Sequence, residues 1–267
     1  MYRTVLVLII WIFGLPALAN DLADLGRWSG DSETVVDHAD WGSMLSRYLD
    51  TSYEDGINRF SYGNVTASDK SRLKNYINRL TNIDPTTLNK AESFAYWVNL
   101  YNALTVDLII DRYPVKSIKD IKPNVFAFGP WKMNMIEING RELSLDDIEH
   151  GLLRAYWSDP RVHYAVNCAS IGCPNLRPTP FSAASLDDDL DRAARDYINH
   201  PRGVNFESDG ALKLSSIYNW FKEDFGTSGE AVIEHISTYA DQDLASRLES
   251  ATKIDHYDYD WTLNGTD

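Results

Sequence analysis

Residues 162–174, which read VHYAVNCASIGCP, bring together side chains that could carry out nucleophilic chemistry. They include His163, Asn167, Cys168 and Cys173, and the chain has no other cysteine. A cysteine nucleophile requires a thiol with a lowered pKa, a nearby base and a polar group that orients the base. The residue types in this stretch therefore predict a thiol site.

Two of the six histidines, His150 and His163, are candidates for the base of such a site. We interpret the stretch before Cys168 as a strand, which would place His163 about 17 Å from Cys168 and would require a turn at Asn167 for direct contact. His150 lies on a separate predicted helix and could approach the thiol from across the fold. Glu149 stands beside His150 and could orient its imidazole.

The two cysteines allow three other interpretations. A C-x4-C pair can close a small disulfide loop, and Gly172 and Pro174 would help the chain to turn. Two cysteines and two histidines match a zinc ligand set by count, but their spacing does not fit the usual pairs, so we expect no metal. A dithiol redox centre would ordinarily use C-x-x-C, and no cofactor is otherwise indicated. The disulfide is therefore the main rival of a reactive thiol.

The N-terminus has the features of a secretory signal peptide at residues 1–19. Arg3 provides a positive charge, a short apolar run follows, and residues 17–19 (Ala-Leu-Ala) have the form of a cleavage site. An uncleaved membrane anchor is the alternative, but the apolar run is short for a membrane span. We therefore expect a periplasmic or extracellular protein with a polar leader at 20–33, one domain at 34–267 and no stable membrane insertion after signal cleavage.

Composition indicates a folded protein with an acidic surface. Hydrophobic residues make up 44% of the chain, which suits a globular domain and not a disordered one. The 25 Lys and Arg residues against 39 Asp and Glu residues give a net charge of −14. That balance argues against binding to nucleic acid and to anionic lipid surfaces. We expect a small-molecule or peptide ligand instead.

Residues 84–114 predict a long helix that is buried on nearly all sides, because apolar side chains surround it. Asn99 and Asn102 lie three positions apart within it and therefore share a side. A buried amide must find hydrogen-bonding partners. Each asparagine either ties down a neighbouring loop or lines a site, and the sequence leaves both interpretations open.

Hairpins and further helices accompany this central helix. Asn139-Gly140 and Asp209-Gly210 predict tight hairpin turns, residues 145–154 predict a helix, and residues 161–167 alternate as a strand would. A loop with both cysteines follows. Strands and helices do not alternate regularly, so the predicted fold class is α+β.

Several segments, taken in order, resemble a bacterial family of domains of unknown function that is numbered 547. They are AYWVNLYNALTVDLIIDRYPVKSIKDI, LSLDDIEHGLLR, DPRVHYAVNCASIGCPNLRP, LSSIYNWFKEDF and YDWTLN, and they span about residues 90–264. The family motif W-x-N-x-Y-N falls on residues 97–102, and its I-E-H and V-H-[FY]-A elements fall on 148–150 and 162–165. The resemblance favours the first cysteine of the loop, Cys168, as the chemical residue.

The arrangement is also loosely similar to papain-like and transglutaminase-like folds. That similarity implies a long central helix packed on an antiparallel sheet, one strand of which carries a histidine. The chain departs from those folds because their nucleophilic cysteine opens the central helix, whereas residues 84–114 contain no cysteine. The similarity therefore supports the architecture better than the mechanism.

The first functional hypothesis is an exported, papain-like cysteine hydrolase or acyltransferase that acts on a peptide-like amide. Cys168 is its nucleophile, His150 is its base with His163 as the alternative base, and Glu149 or Asn167 orients the base. The predicted substrate-binding residues are Asn99, Asn102, Asn167 and Cys173.

The second hypothesis is a non-catalytic envelope binding module. In this case the asparagine, glutamate and histidine side chains hold a small peptide or polar ligand, and Cys168 and Cys173 form a structural disulfide. The two hypotheses differ in the state of Cys168, which is a free thiol in the first and a bonded sulfur in the second. Residue types and spacing do not decide between them.

Overall fold

The computed structural model describes residues 22–251 and 253–266. The signal peptide predicted at 1–19 lies outside the described residues. The described part of the predicted polar leader is packed on the protein, since Leu22 and Leu25 are buried in the larger hydrophobic cluster. Among the residues that the structure describes, no helix combines the length and the apolar character that crossing a membrane requires.

Helices account for most of the regular structure. In chain order they are α1 (Ala39–Tyr48), α2 (Ala67–Thr81), α3 (Lys90–Arg112), a π-helix (Asp147–Arg154) that continues into α4 (Ala155–Trp157), α5 (Val162–Ala165), α6 (Leu186–Ile198), α7 (Ile217–Trp220), α8 (Lys222–Phe225), α9 (Gly229–Tyr239) and α10 (Gln242–Leu248). Side-chain caps fix several helix starts. Thr66 accepts the N–H of Asp69 at α2, and Asn89 accepts that of Glu92 at α3.

The strands are short and form small sheets. They are β1 (Leu49–Asp50), β2 (Arg59–Phe60), β3 (Ile136–Ile138), β4 (Arg141–Leu143), β5 (Val204–Phe206), β6 (Leu212–Ser215) and β7 (His256–Asp258). β1 pairs with β2, β3 with β4 and β5 with β6, all antiparallel, while β7 joins β6 in parallel. Both predicted hairpins are present. Asn139 and Gly140 have φ values of 51° and 76°, as a type I′ turn requires. The α+β class is confirmed.

α3 is the central helix of the fold. Every residue from 92 to 106 is buried, which explains why the helix is apolar nearly all round. It packs mainly against α2 and the π-helix. The long buried helix is therefore confirmed, but its principal neighbours are helices and not the antiparallel sheet that the papain-like similarity implies. The papain-like architecture stays a prediction.

Two hydrophobic clusters form the interior of the described residues. The larger cluster surrounds α3, and the smaller one is built from α6 to α10 together with β5 and β6. α5 lies between the two, because Val162 belongs to the larger cluster and Tyr164 to the smaller one. The segment that leads to the cysteines is therefore anchored on both sides.

The predicted strand at 161–167 is wrong, since its centre forms the one-turn helix α5. The carboxylate of Asp159 accepts the N–H of Arg161 at 2.9 Å and so starts the turn. Pro160 follows with its φ already close to the helical value. A helix of four residues is too short to display a period of 3.6. The alternation of apolar residues in the sequence therefore predicted a strand instead.

The sequence predicts solvated imidazoles for His38, near the start of the first helix, and for His200 and His235, among polar neighbours in helices. This is wrong for His38 and His235. The Nδ1 of His38 lies 2.6 Å from the Tyr76 hydroxyl, and its buried Nε2 has no hydrogen-bonding partner in the described structure. The Nε2 of His235 lies 2.9 Å from the Tyr164 hydroxyl in the smaller cluster. Burial lowers the pKa of each ring to about 4.

Stability should therefore fall as the pH drops from 6.5 towards 4, the unfolded and folded pKa values of these rings. In that window the unfolded chain binds protons that the folded protein does not, so acid favours unfolding. Urea denaturation at pH 7.5 and at pH 5 measures the loss of unfolding free energy between these values. His38→Phe should make that loss smaller by at most about 2 kcal/mol. His256→Gln, which removes an exposed imidazole, is the control. If the unfolding free energy of His38→Phe falls with pH as steeply as that of the wild type, the ring of His38 is not buried in its neutral form.

Candidate binding cleft

A cleft of about 770 Å³ opens beside the π-helix, the cysteine loop (residues 168–173) and the C-terminal segment (residues 259–264). Its walls are mainly aromatic, and its polar residues come from several elements. The lining includes Tyr101, Trp131, Asp146, Glu149, His150, His163, Cys168, Cys173, Trp220, Phe221, Tyr259 and Trp261. The four predicted catalytic residues thus lie at one cleft.

Cys168 and Cys173 are paired as a disulfide, with Sγ atoms at bonding distance and Cα atoms 6.3 Å apart. The N–H of Cys168 also donates to Cys173 Sγ at 2.9 Å. Cys168 remains partly exposed to the cleft, whereas Cys173 is buried. The described residues therefore contain no free thiol.

Tyr259 covers the disulfide from the C-terminal segment. Its hydroxyl lies 3.0 Å from Cys168 Sγ, 3.1 Å from Cys173 Sγ and 3.0 Å from Ser170 Oγ. Burial raises the pKa of Tyr259 well above its usual range, so the hydroxyl keeps its proton. The hydrogen-bonding partners of Cys168 Sγ are Ser170 and Tyr259, and no histidine is among them.

Asn167 holds the cysteine loop in shape. Its Nδ2 donates to the carbonyl of Pro174 at 2.7 Å, and its Oδ1 accepts the N–H of Ala169 at 2.8 Å. Ala169 has a φ of 56°, which is costly for a residue other than glycine and is imposed by the surrounding hydrogen bonds. Asn167 is buried and is not part of the cleft lining. Its amide groups serve the loop.

The C-terminal segment runs beside the cysteine loop and fixes its position. Backbone hydrogen bonds join the two, including one from the N–H of Gly172 to the carbonyl of Asp260 at 2.8 Å. A Cβ on Gly172 would lie 2.9 Å from the backbone N and O of Asp260, so this close approach requires glycine. The position of Tyr259 over the sulfur atoms follows from this pairing.

Glu149 is the most deeply placed carboxylate of the cleft. Its Oε1 lies 3.9 Å from His163 Nδ1 and 4.0 Å from His150 Nδ1. Burial, and then the neighbouring Glu149 carboxylate, raise the pKa of Tyr101 well above its usual range. A π-helix has more residues in each turn than an α-helix, so successive side chains diverge less. This winding allows the adjacent Glu149 and His150 to face one cleft.

His163 is fixed by a carboxylate and by an aromatic ring. Its Nε2 lies 2.6 Å from Asp224 Oδ2, and its ring stacks on Phe221 with centroids 4.2 Å apart. Burial alone would raise the pKa of Asp224, but hydrogen bonds from His163 and Arg154 outweigh that effect and hold the pKa well below its usual range. His163 is therefore held in a buried position, with its Nδ1 3.9 Å from Glu149 Oε1.

His150 is the more accessible of the two predicted bases. Its Nε2 lies 3.4 Å from Asp146 Oδ1, its Nδ1 lies 3.1 Å from Arg154 Nη1, and its side chain is 34% exposed. A ligand in the cleft can therefore reach His150 directly. Within residues 22–251 and 253–266, no group of three or more His, Cys, Asp or Glu side chains is arranged to hold a metal ion.

Asn99 and Asn102 lie outside the cleft lining, and each uses its amide on a neighbouring loop. The Nδ2 of Asn99 donates to the carbonyl of Phe181 at 2.8 Å, and its Oδ1 accepts the N–H of the same residue at 3.0 Å. Asn102 donates to the carbonyl of Ala165 at 3.0 Å and accepts the N–H of Asn167 at 2.8 Å. Both side chains therefore hold a neighbouring loop in place through hydrogen bonds to its backbone.

Two residues that line the cleft, Tyr259 and Trp261, and one that holds a lining residue, Asp224, could not be predicted because they stand far from the cysteines in the chain. Asp224 contacts His163 Nε2. Tyr259 covers the disulfide, and Trp261 forms part of the cleft wall. They lie in the segments KEDF and YDWTLN, which resemble the family but have no spacing that connects them with a thiol site. The concentration of aromatic residues in these segments was the available signal.

Replacing Asn102 with Leu should lower the free energy of unfolding by about 2–4 kcal/mol, because two buried backbone groups lose their partners. Those groups are the carbonyl of Ala165 and the N–H of Asn167. Urea denaturation measures the change. Asn78→Leu on the exposed side of α2 is the matched control and should stay within about 0.5 kcal/mol. If Asn102→Leu lowers the free energy of unfolding no more than Asn78→Leu does, the hydrogen bonds of Asn102 do not stabilise this loop.

Comparison with known proteins identifies one region. Residues 85–198 match the family model described as "Protein of unknown function, DUF547". The matched region contains α3, the π-helix, α5 and both cysteines, and it ends before Asp224 and Tyr259. No curated protein and no solved structure matches the chain. The resemblance to this family that the sequence motifs indicate is therefore confirmed over residues 85–198.

Proposed function

We propose that the chain is a non-catalytic binding module whose cleft holds a small peptide or another small polar ligand. The state of Cys168 carries the proposal. Its sulfur is paired with Cys173 and contacts Ser170 and Tyr259, and neither predicted base is in contact with it. A cysteine hydrolase needs a thiolate next to a base, whereas a binding cleft needs neither.

The cleft has the composition of a ligand site. A volume of about 770 Å³ lies within the usual range for small-molecule pockets, which combine apolar walls with a few placed polar groups. Trp131, Trp220 and Trp261 supply apolar area, while Glu149 and His150 supply polar groups. A peptide can donate backbone N–H groups to the carboxylate and pack its side chains on the indoles.

The proposed location is the periplasm or the extracellular space. Disulfides persist in oxidising compartments and are rare in the cytosol. A Cys168–Cys173 disulfide is therefore consistent with the signal peptide predicted at 1–19. The location outside the cytosol belongs to the proposal.

A cysteine hydrolase or acyltransferase of papain-like architecture is the second candidate. The presence of Cys168, Glu149, His150 and His163 at one cleft favours it. Such an enzyme would act only after the disulfide is reduced. Cys168 would then be the nucleophile, His150 the base and Glu149 the group that orients the base.

Titration with a thiol-reactive chromophore tests whether Cys168 is bonded in the native protein, as the binding module requires. The native protein should show no reactive thiol, and the unfolded and reduced protein should show two, because both sulfur atoms are bonded in the folded state. One thiol that reacts rapidly in the native protein at neutral pH would support the enzyme instead.

Tryptophan fluorescence can follow binding of N-acetylated tripeptide amides that differ in their central residue, since three indoles line the cleft. Glu149→Gln should weaken the tightest of these peptides by about tenfold or more, through loss of a charge-assisted hydrogen bond. Glu137→Gln, on the exposed side of β3, is the matched control. Chromatography should recover the peptides intact. Hydrolysis that appears with reductant and disappears in Cys168→Ala would overturn the binding module.

A further inference from the structure

The cleft has an apolar segment at its edge that the rest of the protein does not cover. We call residues 123–132 the rim loop. Val125, Phe126 and Phe128 in this loop are 85%, 89% and 85% exposed. Monomeric proteins seldom leave a cluster of large apolar side chains in water unless it contacts something else. Phe126 and Phe128 also line the cleft, so the exposed cluster stands at its mouth.

Basic side chains flank the rim loop, although the whole chain has a net charge of −14. Residues 112–135 contain five basic residues and one acidic residue, Asp120, which gives a local charge of +4. The basic residues are Arg112, Lys116, Lys119, Lys122 and Lys132. Lys122 is exposed and forms no ion pair with any described residue. Lys132 is 4.0 Å from its nearest carboxylate, on Asp146.

We propose that the rim loop docks the protein on an anionic phospholipid surface. Val125, Phe126 and Phe128 enter the interfacial region, and the flanking lysines contact the headgroups. Burial of apolar side chains and attraction of basic residues to anionic lipids are the two contributions that hold peripheral proteins on bilayers. The mouth of the cleft then faces the membrane surface.

The acidic balance of the whole chain does not prevent this docking. At physiological ionic strength, exposed charges more than about 8 Å apart are largely screened from one another. The segment that carries the rim loop, residues 112–135, has a charge of +4, although Asp146 and Glu149 also line the cleft beside it. The net negative charge disfavours contact of the average surface with anionic lipid, whereas the segment of this loop is positively charged.

The composition of the rim favours lipid over a protein partner. Four of the five basic residues in the segment 112–135 are lysines, and lysine is depleted in protein interfaces, where arginine, tyrosine and tryptophan are enriched. Lysine combined with exposed phenylalanine is instead typical of segments that lie in a membrane interface. This inference does not depend on the function proposed for the cleft.

Cosedimentation with unilamellar vesicles tests the docking. The protein begins at residue 20, which removes the apolar signal segment and keeps every residue of both hydrophobic clusters. Vesicles of phosphatidylcholine with about 30% phosphatidylglycerol should bind it at least about tenfold more tightly than pure phosphatidylcholine vesicles. Raising the salt from about 0.05 M to about 0.5 M should remove most of that difference.

Two pairs of substitutions assign the binding to the rim. Phe126→Ser with Phe128→Ser should weaken binding by about 30-fold or more, since two aromatic rings no longer enter the interface. Val35→Ser is the matched control, because Val35 is 80% exposed but lies outside the rim. Lys122→Gln with Lys132→Gln should weaken binding to the anionic vesicles by about 25-fold, or about fivefold for each charge. Lys253→Gln removes an exposed lysine elsewhere and should have no such effect.

Wild-type protein that stays in the supernatant with both kinds of vesicle at low salt would overturn the proposal. Phenylalanine variants that bind as tightly as the wild type would overturn it as well. If vesicles do not bind and sedimentation velocity shows a dimer that the phenylalanine variants abolish, the rim covers a second copy of the chain instead. Peptide binding by the wild-type cleft is measured without vesicles, so failure here leaves the proposed binding function standing.

Discussion

The hydrogen bonds of Asn102 connect the buried core to the candidate site. α3 is enclosed on all sides, so an amide on it must be paired within the protein. Its partners are the carbonyl of Ala165 and the N–H of Asn167, which bracket the turn before the cysteine loop. Asn167 in turn closes that loop, and Gly172 lets the C-terminal segment pass beside it. The placement of the disulfide at the cleft therefore depends on a side chain that never reaches the cleft.

The sequence predicts those elements of the fold whose structure is decided locally. Asn139-Gly140 carries its own turn geometry, and the apolar surface of α3 requires burial whatever surrounds it. The segment at 161–167 is different, because the cap from Asp159 and the tie from Asn102 decide its conformation. Neither contribution is visible in the alternation of apolar residues. The strand prediction failed there because tertiary contacts outweighed a weak local pattern.

The membership of the candidate site was easier to predict than its geometry. Residue type and the family resemblance drew attention to Glu149, His150, His163 and Cys168, and all four lie at the cleft. Three of the four predicted substrate-binding residues, Asn99, Asn102 and Asn167, lie outside its lining. The orientation of the four residues at the cleft depends on residues that are distant in the chain, such as Asp224 for the imidazole of His163. No spacing in the sequence links such partners. Their catalytic roles stay predictions, because neither histidine is hydrogen-bonded to Cys168 Sγ although all four residues line one cleft.

The distribution of constrained and accessible groups supports a binding role for the cleft. The sulfur of Cys168 is bonded to Cys173 and covered by Tyr259, so it is among the most constrained atoms at the site. A cysteine nucleophile needs the opposite arrangement, with an unbonded thiol that can become a thiolate and a base beside it. Apart from the rim loop, the accessible side chains of the cleft include His150 and Trp220, which are 34% and 46% exposed. Side chains that are accessible in a cleft with rigid support can contact a ligand at little cost in conformational entropy, which favours recognition over covalent chemistry.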